Sequence, residues 1–215
     1  MQLDQLRYGN PNQEQLPYLH KETYVDVLFN ELSTFSFPRN SSEATREELN
    51  QVVDAINTIK GKEEFEKRYK IYDRGLLKYF KDGLMKNSEN IDGVAKLIDS
   101  IVEDTLPLLI KLKYYHQRPR PYQLADYYKL KLFPYKSFSA DSPSFPSGHS
   151  FHGKLLTEVI GNHYPETYSY MKKLFDDISY SRLYLGLHYQ SDIDVGIFCA
   201  EKVLNLREFK LKYKL

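Results

Sequence analysis

The stretch Ser144-Phe145-Pro146-Ser147-Gly148-His149-Ser150-Phe151-His152 joins a loop rich in turn-forming residues to a segment in which apolar residues recur at helical spacing. Serine is a preferred N-cap residue, and a helix N-terminus presents unpaired N–H groups and a positive dipole end to an anion. Gly148 has no Cβ, so an anion can approach its backbone closely. Ser147 and Gly148 therefore predict an anion-binding helix N-terminus with His149 beside it.

Outward from this stretch, apolar periodicity predicts helices along most of the chain, and no convincing ladder of strands is present. The predicted helices cover about 42–60, 63–83, 88–113 with a kink or new start at Pro107, 150–162, 166–187 and 193–206. The two prolines in HQRPRPYQ (116–123) disfavour regular helix there. The predicted fold class is all-α, a single-domain helical bundle.

The domain organisation follows from the same pattern. Residues 1–40 are rich in Asn, Gln and Pro and predict an irregular arm with at most one short helix. Residues 41–215 predict one helical domain, whose motif-bearing core spans about 105–197. A chain of 215 residues suffices for one sizeable core.

Composition narrows the class of protein. The net charge of +1 argues against a nucleic-acid polymer as partner. The single cysteine, Cys199, lies in an apolar run and predicts a core residue, which suits a reducing compartment. No run approaches the ~18 apolar residues of a membrane-spanning helix, and no signal-peptide pattern opens the sequence. A soluble, cytoplasmic protein is predicted, with a periplasmic or secreted one left open if a signal peptide was removed.

Within this neutral chain the segment 107–140 is strongly basic, which indicates a local anionic ligand. Its cations outnumber a single carboxylate, Asp126; they are Lys111, Lys113, Arg118, Arg120, Lys129, Lys131 and Lys136. For Arg120 two placements stay open, a fourth cation at the pocket rim or a side chain in solvent.

Three short segments, residues 111–119, 146–149 and 181–192, together carry the side chains that suit phosphoryl chemistry. Arg offers a planar fork of donors to phosphate oxygens and Lys adds a point charge, which makes Lys111, Arg118 and Arg182 candidate phosphate ligands with Ser147 and Gly148.

Two histidines complete the set. If the segment from His188 to Asp192 is helical, the four-residue spacing puts both side chains on one face. The carboxylate then holds the proton of one ring nitrogen and leaves the other free to attack phosphorus, so His188 is the predicted nucleophile. His149, beside the bound anion, is the predicted general acid, whose protonation is coupled to binding of the substrate.

The spacings K-x6-R-P (Lys111, Arg118, Pro119), P-S-G-H (Pro146 to His149) and S-R-x5-H-x3-D (Ser181, Arg182, His188, Asp192) resemble the three motif blocks of the type 2 phosphatidic acid phosphatase (PAP2) superfamily. That superfamily includes bacterial class A acid phosphatases and vanadium haloperoxidases. The resemblance covers residues 105–197 and implies a helical bundle without a metal or other cofactor. It also implies phosphate held by Lys111, Arg118, Arg182, Ser147 and Gly148, with His188 as nucleophile, His149 as acid and Asp192 as orienting carboxylate.

The predicted function is a soluble, metal-independent phosphatase that hydrolyses phosphomonoesters such as nucleotides or sugar phosphates through a phosphohistidine. The alternatives are a vanadate-dependent haloperoxidase, against which the short chain argues, and a non-catalytic phosphate- or phospholipid-binding module. Peripheral membrane contact through the basic tail 207–215 and a homodimer stay open. Aromatic residues near the motifs are candidates for stacking on a substrate; they are Tyr114, Tyr115, Tyr122, Phe138 and Phe145.

Overall fold

The computed structural model describes residues 3–73, 76–85 and 91–215. Over these residues the regular structure is helical and no strand is present, so the all-α prediction is confirmed. The α-helices are α1 (Leu16–His20), α2 (Phe29–Leu32), α3 (Glu43–Ile59), α4 (Glu63–Asp73), α5 (Leu76–Met85), α6 (Ile91–His116), α7 (Pro121–Leu124), α8 (Gly148–His163), α9 (Tyr168–Tyr184), α10 (Gln190–Asn205) and α11 (Arg207–Tyr213).

Helix α8 is the centre of the bundle and packs against both α9 and α10, while α6 lies on another side of it. Ten of its sixteen residues are buried, among them Phe151, Leu155 and Val159. These side chains join apolar residues of α6, α9, α10 and α11 in one core cluster. The candidate site residues at the start of α8 therefore lie on a largely buried helix.

Most predicted helices are confirmed, and the clearest difference lies at Pro107. Ser42 caps α3, its Oγ accepting the Thr45 N–H at 3.2 Å, as the start signal predicts. Pro107 neither breaks nor restarts α6, which is continuous from Ile91 to His116. The leucines around Pro107 are buried in the core, and their packing offsets the hydrogen bond that the proline removes. The predicted start of this helix at Ser88 or Asn90 lies outside the described residues.

The N-terminal arm holds more regular structure than predicted. It contains the short helices α1 and α2, together with 3₁₀ turns at Leu3–Gln5 and Tyr24–Leu28. Val25 and Leu32 are buried in the main core cluster. The arm is thus packed on the bundle through some of its apolar residues, while others such as Val27 are exposed.

Two close contacts fix the start of α10 against the start of α8. The Ser147 N–H donates to the backbone oxygen of Asp192 at 2.8 Å. A Cβ on Gly196 would lie 2.6 Å from the backbone oxygen of Ser147, so only glycine lets the two helices approach this closely.

Gly196→Ala is therefore expected to lower the free energy of unfolding by about 1–3 kcal/mol, the usual cost of overpacking a tight helix contact. Urea denaturation of both proteins measures this. Glu201→Ala, an exposed change on the same helix, should alter stability by no more than about 0.5 kcal/mol. Equal stability of Gly196→Ala and wild type would contradict the close contact.

Stability should also fall in acid because of His116, whose half-buried ring packs edge-on against Phe37 and Phe145. Burial lowers the pKa of His116 to about 4, below that of the unfolded chain. As pH falls from about 6.5 to 4, the unfolded chain takes up a proton that the folded protein does not, and stability is lost across this window.

His116→Phe keeps the ring contacts and removes the titration. Between pH 7 and pH 4.5 this variant should lose about 1 kcal/mol less stability than wild type, with allowance for the partial exposure of the ring. Denaturation at the two pH values measures it, and His20→Gln, at an exposed histidine, is the matched control. An unchanged acid dependence in His116→Phe would refute the assignment.

Candidate active site

The candidate site is built around the turn between α9 and α10. After α9 the chain reverses at Gly186, whose φ of +74° favours glycine, and the N–H of Leu187 returns to the Arg182 oxygen at 3.0 Å. This turn brings His188 back beside Arg182. The five-residue gap between these two residues is thus the length of one helix end and one tight turn.

His188 and Asp192 form the predicted pair, but by a different local geometry. His188 lies in the turn before α10, so the two side chains do not share a helix face. Asp192 lies in the first turn of α10, where its Oδ2 accepts the Tyr189 N–H at 3.0 Å and lies 3.2 Å from Nδ1 of His188. The carboxylate thus caps the helix and orients the ring at once.

The other ring nitrogen of His188 faces a cation. Nη1 of Arg120 lies 3.0 Å from Nε2 of His188 and also donates to the Leu187 oxygen at 2.8 Å. An arginine is always a donor, so Nε2 is the acceptor and Nδ1 carries the proton that Asp192 accepts. The lone pair of Nε2 therefore points toward the cations of the site.

Lys113 is the second cation at this point. Its side chain is buried, and its Nζ donates to the Pro143 oxygen at 2.6 Å. A Cβ on Gly148 would lie 3.8 Å from the Lys113 Cε, which puts the lysine side chain against the start of α8. Burial and the nearby Arg120 hold the pKa of Lys113 well below its usual value.

Arg182 is the third buried cation. Its Nη1 donates to Asp73 at 2.7 Å, its Nη2 donates to the Ser139 hydroxyl at 3.2 Å, and its buried Nε finds no partner among the described residues. Although burial alone would raise it, Arg182 and nearby donors such as the Ser137 hydroxyl hold the pKa of Asp73 well below its usual value.

His149 lies at the start of α8, partly exposed, where Arg182, His188 and Arg120 all act on it. Burial, with the positive charge of Arg182 next in importance, lowers the pKa of His149 well below its usual value. An anion bound among these cations would act in the opposite direction.

Ser147 and Gly148 take the predicted place at the N-terminus of α8. The Ser147 hydroxyl is buried; it accepts the Ser150 N–H at 3.4 Å and lies 3.0 Å from the Ser150 hydroxyl. It is thus the N-cap, and its hydrogen bonds are made within the helix. Gly148 is closely packed, because a Cβ there would lie 3.1 Å from Cδ2 of Leu109, which would have to shift slightly.

Two residues of the predicted phosphate set lie elsewhere. The Nζ of Lys111 donates to Asp26 and to the Lys21 oxygen, both at 2.7 Å, on the side of α6 that faces the N-terminal arm. Residues two apart on a helix point in nearly opposite directions, so Lys111 and Lys113 cannot reach one site. Arg118 is buried behind Asp192, to which its Nη1 donates at 2.6 Å.

The K-x6-R-P pattern of the first block also fits Lys113, Arg120 and Pro121, two positions further along the chain. The repeated R-P pair in RPRP signals both registers, and sequence spacing alone does not separate them. Contacts separate them: Lys113 and Arg120 face Gly148 and His188, whereas Arg118 is just as buried but pairs with Asp192 and Glu48. Arg120, for which two placements were open, lies at the centre of the cluster.

Among the described residues, no group of three His, Cys, Asp or Glu side chains is placed to hold a metal ion. In the same part of the chain, no helix combines the length and apolar character needed to cross a bilayer. Cys199 is buried, as predicted.

The sequence matches no family model. Over 84 residues, 39% of this chain, it is 31% identical to proteins named non-specific acid phosphatase from Salmonella typhimurium and Salmonella typhi. The match spans about a third of the length of these curated relatives, 33%.

The fold is similar to that of a solved structure, the first transmembrane PAP2 type phosphatidylglycerolphosphate phosphatase from Bacillus subtilis. The TM-score is 0.55 at 20% identity, covering 87% of this chain and 94% of that one. At this level of identity the similarity to the solved structure is one of fold.

Proposed function

We propose that this protein is a phosphatase that hydrolyses phosphomonoesters through a covalent phosphohistidine at His188. The observation that carries the proposal is the pair of buried cations Lys113 and Arg120. Each is nearly inaccessible, at 4% and 1% exposure, and in the described part of the chain each meets backbone oxygens and no carboxylate. Buried charges without a counterion are costly, and a phosphoryl group supplies the missing negative charge.

In this proposal the phosphoryl oxygens are held by Lys113, Arg120 and Arg182. The unpartnered Nε of Arg182 and the first N–H groups of α8 are further donors that we propose bind the same phosphoryl group. When phosphate enters, the donors of Arg120 turn from Nε2 of His188 to a phosphoryl oxygen, and the lone pair of Nε2 then faces phosphorus.

The reaction proceeds in two balanced steps. Nε2 of His188 forms a bond to phosphorus as the ester P–O bond breaks, and the leaving alkoxide takes a proton from His149. Water then attacks phosphorus and gives a proton to His149, the P–N bond breaks, and phosphate leaves with His188 restored. Asp192 stabilises the positive ring while it carries the phosphoryl group.

The substrate is proposed to be a small phosphomonoester. Of the five aromatic candidates, Phe138 is joined to the site by its N–H, which donates to Asp73 at 2.7 Å, and its ring is exposed. Phe145 is buried, and Tyr114 bonds Gln15 of the arm. Solubility, a cytoplasmic location, metal independence, membrane contact and a homodimer stay predictions.

The first experiment measures phosphate release from nucleotides, sugar phosphates and short-chain phosphatidate with a chelator present throughout. Wild type should turn over at least one of these, and His188→Ala should lose activity by about three orders of magnitude or more. No turnover by wild type on any substrate would contradict the proposal. Halide oxidation by the vanadate-loaded protein would then favour a peroxidase, and phosphate affinity alone a binding module.

A matched pair of lysine variants tests whether Lys113 or Lys111 belongs to the phosphate site. Lys113→Met should lower kcat/KM by about 10²–10³, because it removes a charge that touches the transferred group. Lys111→Met breaks only the contacts to Asp26 and Lys21 and should keep kcat/KM within about threefold of wild type. A larger loss of kcat/KM in Lys111→Met than in Lys113→Met would assign Lys111 to the phosphate site.

Anion binding should be coupled to proton uptake at His149. In the empty site its pKa is depressed, and a bound dianion raises it, so affinity for a dianion should increase as pH falls toward 6. Sulfate is a suitable probe because it does not itself titrate there. Calorimetry in buffers of different ionisation enthalpy should show uptake of up to about one proton, reduced in His149→Asn. A buffer-independent enthalpy would contradict this coupling.

A further inference from the structure

Arg118 lies in a buried network behind the candidate nucleophile. Its Nη1 donates to Oδ1 of Asp192 at 2.6 Å and to the Ser191 hydroxyl at 2.8 Å, while its Nη2 donates to Oε2 of Glu48 at 2.7 Å. The side chains of Arg118 and Asp192 are 1% and 0% exposed, and that of Glu48 is 12% exposed.

The guanidinium of Arg118 also contacts two aromatic rings. Its central carbon lies 3.8 Å from the ring centroid of Tyr189 and 4.8 Å from that of Phe37. Glu48 is fixed in turn, since its Oε1 accepts the Ser191 N–H at 3.0 Å. The fork of Arg118 thus has one orientation, in which it joins α3 to the first turn of α10.

We propose that Arg118 and Glu48 are positioning residues: Arg118 holds the Asp192 carboxylate against His188, and Glu48 offsets the charge of Arg118 so that Asp192 keeps its effect on the ring. The inference rests on the proposed function, in which His188 is the nucleophile. Neither residue touches the transferred group.

The charges of this network explain why both Arg118 and Glu48 are needed. Asp192 shares its two oxygens between His188 and Arg118, so an uncompensated arginine would cancel much of the field that the carboxylate exerts on the ring. Glu48 returns one negative charge to the network, leaving Glu48, Arg118 and Asp192 with a net charge of about −1. That charge stabilises the cationic ring formed when His188 takes the phosphoryl group.

His188 faces other charges, all of which stay in place in the variants below. Burial and the nearby cations hold its pKa well below its usual value. The charged and titratable groups around the ring, from every neighbouring element, are Lys113, Arg120, His149, Arg182 and Asp192.

The test compares the pH dependence of kcat/KM in three variants, because a merely structural role would not produce shifts of opposite sign. Glu48→Gln removes a negative charge, so the pKa of His188 falls and the acidic limb moves down by about 0.5–1 pH unit. Arg118→Met removes a positive charge, so the pKa of His188 rises and the acidic limb moves to higher pH. Arg118→Lys keeps the charge but loses the fork, so kcat falls about tenfold or more with the limb unmoved.

Glu48→Gln is nearly isosteric and partly exposed, so it keeps the test available if Arg118→Met does not fold. A wild-type profile in Glu48→Gln, or shifts of the same sign in Glu48→Gln and Arg118→Met, would overturn the inference. KM for the substrate should change little in Glu48→Gln, since the phosphate ligands are untouched.

Nitrogen-15 NMR of the His188 ring separates this inference from the proposed function. In wild type the proton on Nδ1 of His188 should be slow to exchange with water and strongly downfield, because Asp192 holds it; in Arg118→Lys, where the carboxylate is less firmly held, this signal should move upfield and exchange faster. This holds whether or not any substrate turns over. Absence of turnover in wild type would therefore sink the phosphatase proposal alone, whereas an unchanged Nδ1–H signal in Arg118→Lys would sink the positioning role.

Discussion

The candidate site depends on the hydrogen bonds that the buried carboxylate of Asp192 accepts. It caps α10 through the Tyr189 N–H, orients the ring of His188 and receives Arg118, while its backbone oxygen binds the first residue of the α8 turn, Ser147. Few single groups join so many elements. A buried carboxylate is costly unless it is hydrogen-bonded, and these contacts satisfy that of Asp192.

Around this anchor the bundle buries more positive charge than it balances. Arg182 is paired with Asp73 and Arg118 with Glu48, whereas Lys113 and Arg120 meet backbone oxygens in the described part of the chain. The folded state bears the cost of this imbalance, and a bound phosphoryl group would relieve it. In the proposed function these cations favour the binding of an anion.

The two halves of the chain contribute differently to this site. The groups proposed to touch phosphate come from the motif blocks, while carboxylates that hold arginines in place, Glu48 and Asp73, come from helices before them. The arm adds Phe37 against Arg118 and Gln15 against the backbone of Asp141. The N-terminal hundred residues therefore shape the site although they carry no motif.

The sequence by itself determined the fold class, most helix positions and the histidine pair. Apolar periodicity depends on local geometry, and the spacings around Gly148 and from Arg182 to Asp192 depend on single helix ends and turns, so both can be inferred from neighbouring residues. The register of the first block depends on more than local spacing. Lys111 with Arg118 and Lys113 with Arg120 fit the same pattern, and only packing of α6 against α8 decides which lysine faces Gly148.

Tertiary structure alone also decided the partners of the arginines. Glu48 and Arg118 are 70 residues apart, and Asp73 and Arg182 are 109 apart, so no spacing rule joins them. It decided, too, that His188 and Asp192 meet across a helix cap and not along a helix face. In each case the reason is physical: burial selects among charged residues that look equivalent in sequence, because only a charge with a partner or a ligand is stable away from water.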